Sequence, residues 1–192
     1  MNQDFQEQEI DNNNTKGSKI KNEIIGIIKT VAIAIVIALI INNFILVNAV
    51  VPTGSMKNTI MPKDRIVAFR LAYLFGEPKR DDIIVFKAPD ERDVLYVKRI
   101  IGLPGETINI VDGTLYIDGR EVTKEEQPYL LEDMIGNFGP YVVPEDSYFM
   151  MGDNRNDSQD SRYWQHTFLP REDIEGKVIF KYYPKIESLT NK

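Results

Sequence analysis

No cysteine occurs anywhere in the 192 residues, which removes disulfides, thiol nucleophiles and cysteine-ligated metals at once. The absence leaves the redox compartment open, because cysteine-free chains occur in all of them. Histidine is nearly absent too, with His166 standing alone. A Ser-His-Asp arrangement would rest on that residue entirely, and a histidine-rich zinc site cannot be assembled. Nor is there a basic excess. With 23 Lys and Arg against 29 Asp and Glu, the formal net charge is -6, so a nucleic-acid partner is not expected. At this length one domain of ordinary size is expected.

Charge is missing altogether from Thr30 to Met56. The stretch TVAIAIVIALIINNFILVNAVV is apolar on every face, so it carries no amphipathic stripe for a globular core. About 20 such residues cross the hydrocarbon of a bilayer. It is longer than a cleaved export signal and begins later. Residues 24–49 are therefore expected to be a transmembrane anchor. Asn42 and Asn43 are its imperfection, and they fit either the outer interfacial zone or a contact with another helix. Lys16, Lys19, Lys21 and Lys29 precede the span, and nothing basic comes after it until Lys57. The amino terminus should then face the cytoplasm and the rest lie outside. Residues 1–23 are expected to form a cytoplasmic tail, disordered where Asn, Gln and acids dominate, and residues 50–192 an extracytoplasmic domain.

That outer domain reads as mainly β. Short runs rich in Val, Ile, Tyr and Phe recur between turn signals: RIVAF at 65–69, DIIVFKA at 82–88, VLYVKRII at 94–101 and KVIFKYY at 177–183. INIVDGTLYIDG predicts a hairpin, with Asp112-Gly113 at its turn and Asp118-Gly119 after it. LAYLFG at 71–76 suits one short turn, and residues 123–140 read as an acidic, irregular surface insertion.

Three stretches offer chemistry. VPTGSMKNTI, residues 51–60, comes directly after the anchor, so Ser55 lies no more than about 20 Å of extended chain beyond it. Gly54 lets the backbone approach a bound carbonyl, and Ser55 supplies a hydroxyl. By itself this is also an ordinary turn. In YVKRIIGLPGE, residues 96–106, alternation puts Tyr96, Lys98 and Ile100 on one face and Val97, Arg99 and Ile101 on the other. A lysine there can point to solvent. Held dry on an apolar face, it becomes a base, because desolvation lowers an ammonium pKa. MGDNRNDSQDSR, residues 151–162, has the composition of a hydrogen-bonded loop. Asp153, Asp157 and Asp160 also suit a calcium loop, but the spacing is not that of an EF-hand and Arg155 and Arg162 would repel the cation.

Taken together and in order, these stretches resemble the bacterial type I signal peptidases, a serine–lysine peptidase family, in its single-anchor form. The resemblance runs from the anchor to about residue 181. It rests on the serine box TGSM, the strand entries PKDRIVAF and KRDDIIVFKAP, the lysine box VKRIIGLPGE and the late box GDNRNDSQDSR. It implies a signal-peptidase-like β-domain of antiparallel sheets behind one transmembrane helix. It implies Ser55 as nucleophile and Lys98 as general base, with the Ser55 N–H and Thr53 hydroxyl forming an oxyanion hole. Ser158 would orient Lys98, while Asp153, Asp160, Arg99 and Arg162 would give ionic support and His166 would be a surface or structural residue. Two departures stand out. Asn58 occupies a position usually held by Pro, with little expected effect on chemistry, and Thr53 stands where some members have Ser.

The substrates so implied are exported preproteins, cut after a small-x-small motif. An extended substrate would add as a strand, its side chains entering shallow pockets lined by Val51, Pro52, Met56, Ile60, Tyr96 and Val97. No metal or other cofactor is implied. Membrane lipid and the export machinery are the further partners expected. Two other readings are a membrane-tethered β-domain for binding or scaffolding, and a self-cleaving Ser-Lys repressor. The second lacks a DNA-binding head.

Overall fold

A computed structural model of the protein describes residues 23–190; the expected tail lies outside them, Glu23 excepted. The chain divides into two compact units, one ending at Asn43 and the other starting at Phe44.

The described part of the first unit is helical. Glu23–Ile45 runs unbroken, α-helical to Ile40 and π-helical over Ile41–Ile45. At 1.5 Å per residue it is about 35 Å long, and it is apolar enough to cross a membrane. None of its apolar window is buried. Its polar interruption at Thr30 is satisfied locally, with Oγ1 donating to the Gly26 carbonyl at 3.0 Å. Asn42 and Asn43 fall within the π turn.

The helix stops short of the expected residue 49. Leu46–Val50 is instead strand β1, paired antiparallel with β2 (Arg65–Phe69) in a register running from Leu46↔Phe69 to Val50↔Arg65. The reason is legible only in the fold. Val47 is buried in the domain core, and an apolar run does not say whether lipid or a sheet will cover it.

The other strands are β3 (Ile83–Lys87), β4 (Leu95–Gly102), β5 (Thr107–Val111), β6 (Thr114–Ile117), β7 (Arg120–Glu121), β8 (Phe138–Val142), β9 (Ser147–Met151), β10 (Leu169–Pro170), β11 (Ile174–Tyr183) and β12 (Glu187–Ser188). The larger sheet has the order β1-β2-β11-β3-β4-β9-β10, with β12 on β11, and the smaller has the order β7-β6-β5-β8. All pairings are antiparallel. The four expected strand runs and the hairpin are present. Asp112-Gly113 turns between β5 and β6 with φ of 48° and 78°, the left-handed pair that a two-residue hairpin demands. LAYLFG begins in a 3-10 turn over Arg70–Tyr73. The insertion at 123–140 is less superficial than expected. Gln127, Tyr129 and Met134 are buried, and its end enters β8.

Alternation along the strands sorts the core. On β3, Ile83 and Val85 join one cluster with Val47, Met56, Ile66 and Val178. Ile84 and Phe86 join another with Ile100, Tyr148, Met150 and Trp164. A third, around Ile108, Ile110 and Phe149, ties the small sheet to the large one. Burial on both faces is why β3 reads as an unbroken apolar run.

Phe86 is fully buried and meets the Trp164 ring edge-on at 5.7 Å. Phe86→Ala should cost about 3–5 kcal/mol of stability, measured as a lower urea midpoint without change in the slope.

Candidate active site

Ser55 lies in a tight turn beyond β1, closed by the Lys57 N–H donating to the Gly54 carbonyl at 3.0 Å. The turn is held down from its far side. Met56 and Ile60 are fully buried in the core beneath it. Asn154 clamps it from above, its N–H donating to the Ser55 carbonyl at 3.0 Å and its Nδ2 to the Gly54 carbonyl at 3.1 Å. The serine cannot drift, and its hydroxyl has one principal neighbour.

That neighbour is Lys98. On β4 its cross-strand partner is Ile84, so it emerges on the face that carries Ile84, Phe86 and Ile100. Lys98 is 4% exposed and Ser55 8%, and Lys98 Nζ lies 2.7 Å from Ser55 Oγ. Burial pushes the amine down to about 8, against the opposing pull of Asp160 and Asp153. At 1.4 kcal/mol per pH unit, disfavouring the ammonium to this extent costs the fold about 3 kcal/mol. The native site binds its proton more weakly than the unfolded chain, so this penalty is full below pH 8 and fades as pH rises toward 10.5.

Two buried ion pairs support the site. Arg99, pointing to the opposite face of β4 from Lys98, forks onto Asp153 through Nε–Oδ1 at 2.8 Å and Nη2–Oδ2 at 2.7 Å. Thr59 Oγ1 donates to the same Oδ2 at 2.5 Å, so one carboxylate joins the lysine strand, the serine turn and the late loop. Arg162 forks onto Asp160 at 2.8 Å through both Nε and Nη2, and Asp160 also accepts the Gly152 N–H at 3.1 Å. Both carboxylates are occupied by arginines, the reverse of what a calcium loop requires.

The remaining expected residues divide. Thr53 Oγ1 is 3.4 Å from Ser55 Oγ, beside that hydroxyl but on an exposed residue. Ser158 is buried, yet its Oγ has no hydrogen-bond partner among the described residues, so the expected bond to Lys98 is not formed. The lysine directs its donor to Ser55 instead. Among the expected pocket residues, Pro52 is exposed and Tyr96 and Val97 are half-buried, whereas Val51, Met56 and Ile60 belong to the core. Met56 and Ile60 expose no surface, so neither is open to contact with a bound side chain. Asn58 has φ of +88° and donates through Nδ2 to the Tyr129 carbonyl at 3.3 Å. Proline is locked near −65° and cannot adopt that backbone, whereas asparagine tolerates it. His166 is exposed and bonded to Asp90 at 2.9 Å, away from the pair.

Sequence reasoning missed Thr59, Asn154 and Gly152. Thr59 is four residues past the serine and looks like any turn threonine. Asn154 and Gly152 belong to a box already singled out, but their use through backbone contacts leaves no mark in composition. A Cβ on Gly152 would lie 2.4 Å from the Ser55 carbonyl oxygen and 2.3 Å from Ser158 Oγ, so only glycine lets the late loop approach the serine.

A hydroxyl against a dry amine, with no histidine near, is equipped for acyl transfer. Known proteins resemble the chain over most of its length. The family model described as "Signal peptidase, peptidase S26" matches residues 24–183. The signal peptidase I of Bacillus licheniformis is 37% identical over 179 residues, covering 88% of this chain and 94% of its own. Signal peptidase I S of Bacillus subtilis is 38% identical over 175 residues, covering 85% and 91%. A crystal structure of a signal peptidase I from Enterococcus faecalis covers 53% of this chain and 96% of its own, at 35% identity and a TM-score of 0.45.

Gly152→Ala should therefore cut the rate of Ser55 acylation by a serine-reactive probe by about two orders of magnitude, because displacement by about 1 Å suffices for that. A rate within a few-fold of the parent would show that the close approach is dispensable.

Proposed function

The chain belongs to the signal peptidase family, peptidase S26, and we propose that within it Ser55 is the nucleophile and Lys98 the general base. The protein is a membrane-anchored serine endopeptidase that removes N-terminal signal peptides from exported preproteins. The observation that carries the residue assignment is the 2.7 Å contact between Lys98 Nζ and Ser55 Oγ in a buried setting.

The neutral amine accepts the Ser55 proton as Oγ attacks the scissile carbonyl. The tetrahedral oxyanion is met by the Ser55 N–H and the Thr53 hydroxyl. The Lys98 ammonium then returns the proton to the leaving amine, leaving an acyl-enzyme, and the regenerated amine activates the water that hydrolyses it. With its proton held at about 8, roughly a quarter of Lys98 is neutral at pH 7.5, against about one part in a thousand for an unperturbed lysine.

Substrate binding exploits a gap in the sheet. β9 pairs with β4 only from Arg99 onward, and no described strand pairs with the outer edge of Leu95–Lys98. An extended substrate segment completes that edge, running its scissile carbonyl past Ser55. Pro52, Tyr96 and Val97 line the pockets, and the closely packed Val51, Met56 and Ile60 behind them limit depth, which selects small side chains. The anchor spans from about residue 24 with the amino terminus cytoplasmic, as the lysines before it favour. The peptidase domain is then extracytoplasmic, near lipid and the exit of the export machinery.

In preprotein cleavage by the full-length protein in detergent, Ser55→Ala should abolish turnover. Lys98→Arg keeps the charge but offers no neutral amine, so it should lose at least about three orders of magnitude. Substantial cleavage by Lys98→Arg would sink the lysine-base assignment. The wild-type kcat/KM should rise about tenfold per pH unit below pH 8 and level off above it, as the base is freed of its proton. A profile flat from pH 6 to 9 contradicts a lysine that titrates near 8.

A further inference from the structure

The late loop buries a third arginine that the proposed mechanism does not use. Arg155 is 2% exposed, and its Nε, Nη1 and Nη2 have no hydrogen-bond partner among the described residues. The contrast with its neighbours is sharp, since Arg99 and Arg162 each fork onto a carboxylate. Asp153 and Asp160 are thereby taken. The Tyr129 ring, 5.9 Å from the Arg155 guanidinium, already has Arg99 at 3.8 Å. Burial lowers the pKa of Arg155, but a guanidinium stays protonated in proteins. An unpaired buried charge is costly, so this one calls for an anion.

Arg155 lines a cavity of about 340 Å³ between the β5–β6 turn and the 121–134 segment. A second buried, unpartnered group belongs to a residue lining the same cavity: Oε1 of Gln127, an acceptor on a side chain 7% exposed. Leu115, Leu130 and Met134 add apolar wall. The mouth is acidic, with Glu121, Glu132 and Asp133 exposed and Lys124 paired to Asp133 at 2.6 Å. Such a rim repels multivalent anions such as phosphate and tolerates a single negative charge directed inward.

We propose that this cavity binds an α-carboxylate with an adjacent N–H, the carboxylate forked onto Arg155 and the N–H donated to Gln127 Oε1. The chemistry is shared by a peptide C-terminus and by an N-acylated amino acid, and a guanidinium matches the planar carboxylate in two parallel hydrogen bonds. An apolar side chain on the ligand packs against Leu115, Leu130 and Met134. Asn154, which clamps the Ser55 turn, is the next residue in the chain to Arg155, so the two sites share one loop.

The test is calorimetric titration of the full-length protein in neutral detergent with N-acetyl-leucine, the acid acetyl-Ala-Ala-Leu, its C-terminal amide, and inorganic phosphate. Both acids should bind saturably, and the amide and phosphate at least about tenfold more weakly. A peptide acid about tenfold tighter than N-acetyl-leucine identifies a peptide C-terminus as the natural ligand, whereas near-equal affinities identify a small carboxylate. Arg155→Met should lose at least about tenfold in affinity. Because that variant can fail to fold, Leu130→Trp, which fills the cavity and keeps the arginine, should lose as much. Ser55→Ala should bind the acids with unchanged affinity, which separates this site from the peptidase assignment. Binding of the amide or of phosphate as tight as that of the acids, no binding of either acid at about 10 mM, or full affinity in Leu130→Trp overturns the proposal.

Discussion

The chemistry proposed for the peptidase domain depends on keeping one lysine dry. An amine on a flexible four-carbon stem is strongly hydrated, and in water it holds its proton far above neutral pH. Lys98 is enclosed because Ile84 and Ile100 lie beside it on the same face of the sheet and the serine turn lies against its amine. Among the described residues, its close hydrogen-bond contact is the Ser55 hydroxyl. The same burial that lowers the amine's proton affinity costs native stability, and the apolar clusters on both sides of the sheet offset that cost.

Charges near such a site threaten it, since any free carboxylate would restore the ammonium. Asp153 and Asp160 do pull in that direction. Each is instead engaged by an arginine, Arg99 or Arg162. Buried ion pairs are weak evidence of net stabilisation, but here they fix positions. The Arg99–Asp153–Thr59 chain ties β4 to the serine turn, and Asn154 with Gly152 draws the late loop onto that turn. Three segments far apart in the chain are thereby held within hydrogen-bond distance of one another.

Much of this was legible in the residues. RIVAF, DIIVFKA and VLYVKRII became β2, β3 and β4 nearly to the residue, because alternation and turn chemistry are local. Which face each residue of β4 takes was readable too, and it put Lys98 and Arg99 on opposite sides. Other features were not. Leu46–Val50 shares its composition with the helix before it, and only pairing with β2 makes it a strand. Met56 and Ile60 looked like pocket walls, but they are core because the turn that carries them folds inward. Ser158 was expected to bond Lys98, and a hydroxyl's direction is decided by a rotamer, not by a motif. Asn58 acquires its meaning from a left-handed φ that no composition reveals.

By itself the sequence determined the apolar span, the β character of the outer domain, and the two candidate reactive groups, because these depend on residue type and short-range spacing. The tertiary structure alone decided whether a serine and a lysine 43 residues apart would meet. It also decided that the lysine would be dry when they did, and that a third arginine, Arg155, would be buried with no hydrogen-bond partner for its guanidinium among the described residues. Desolvation and close approach are properties of how many distant segments pack around one point, and no single segment carries them.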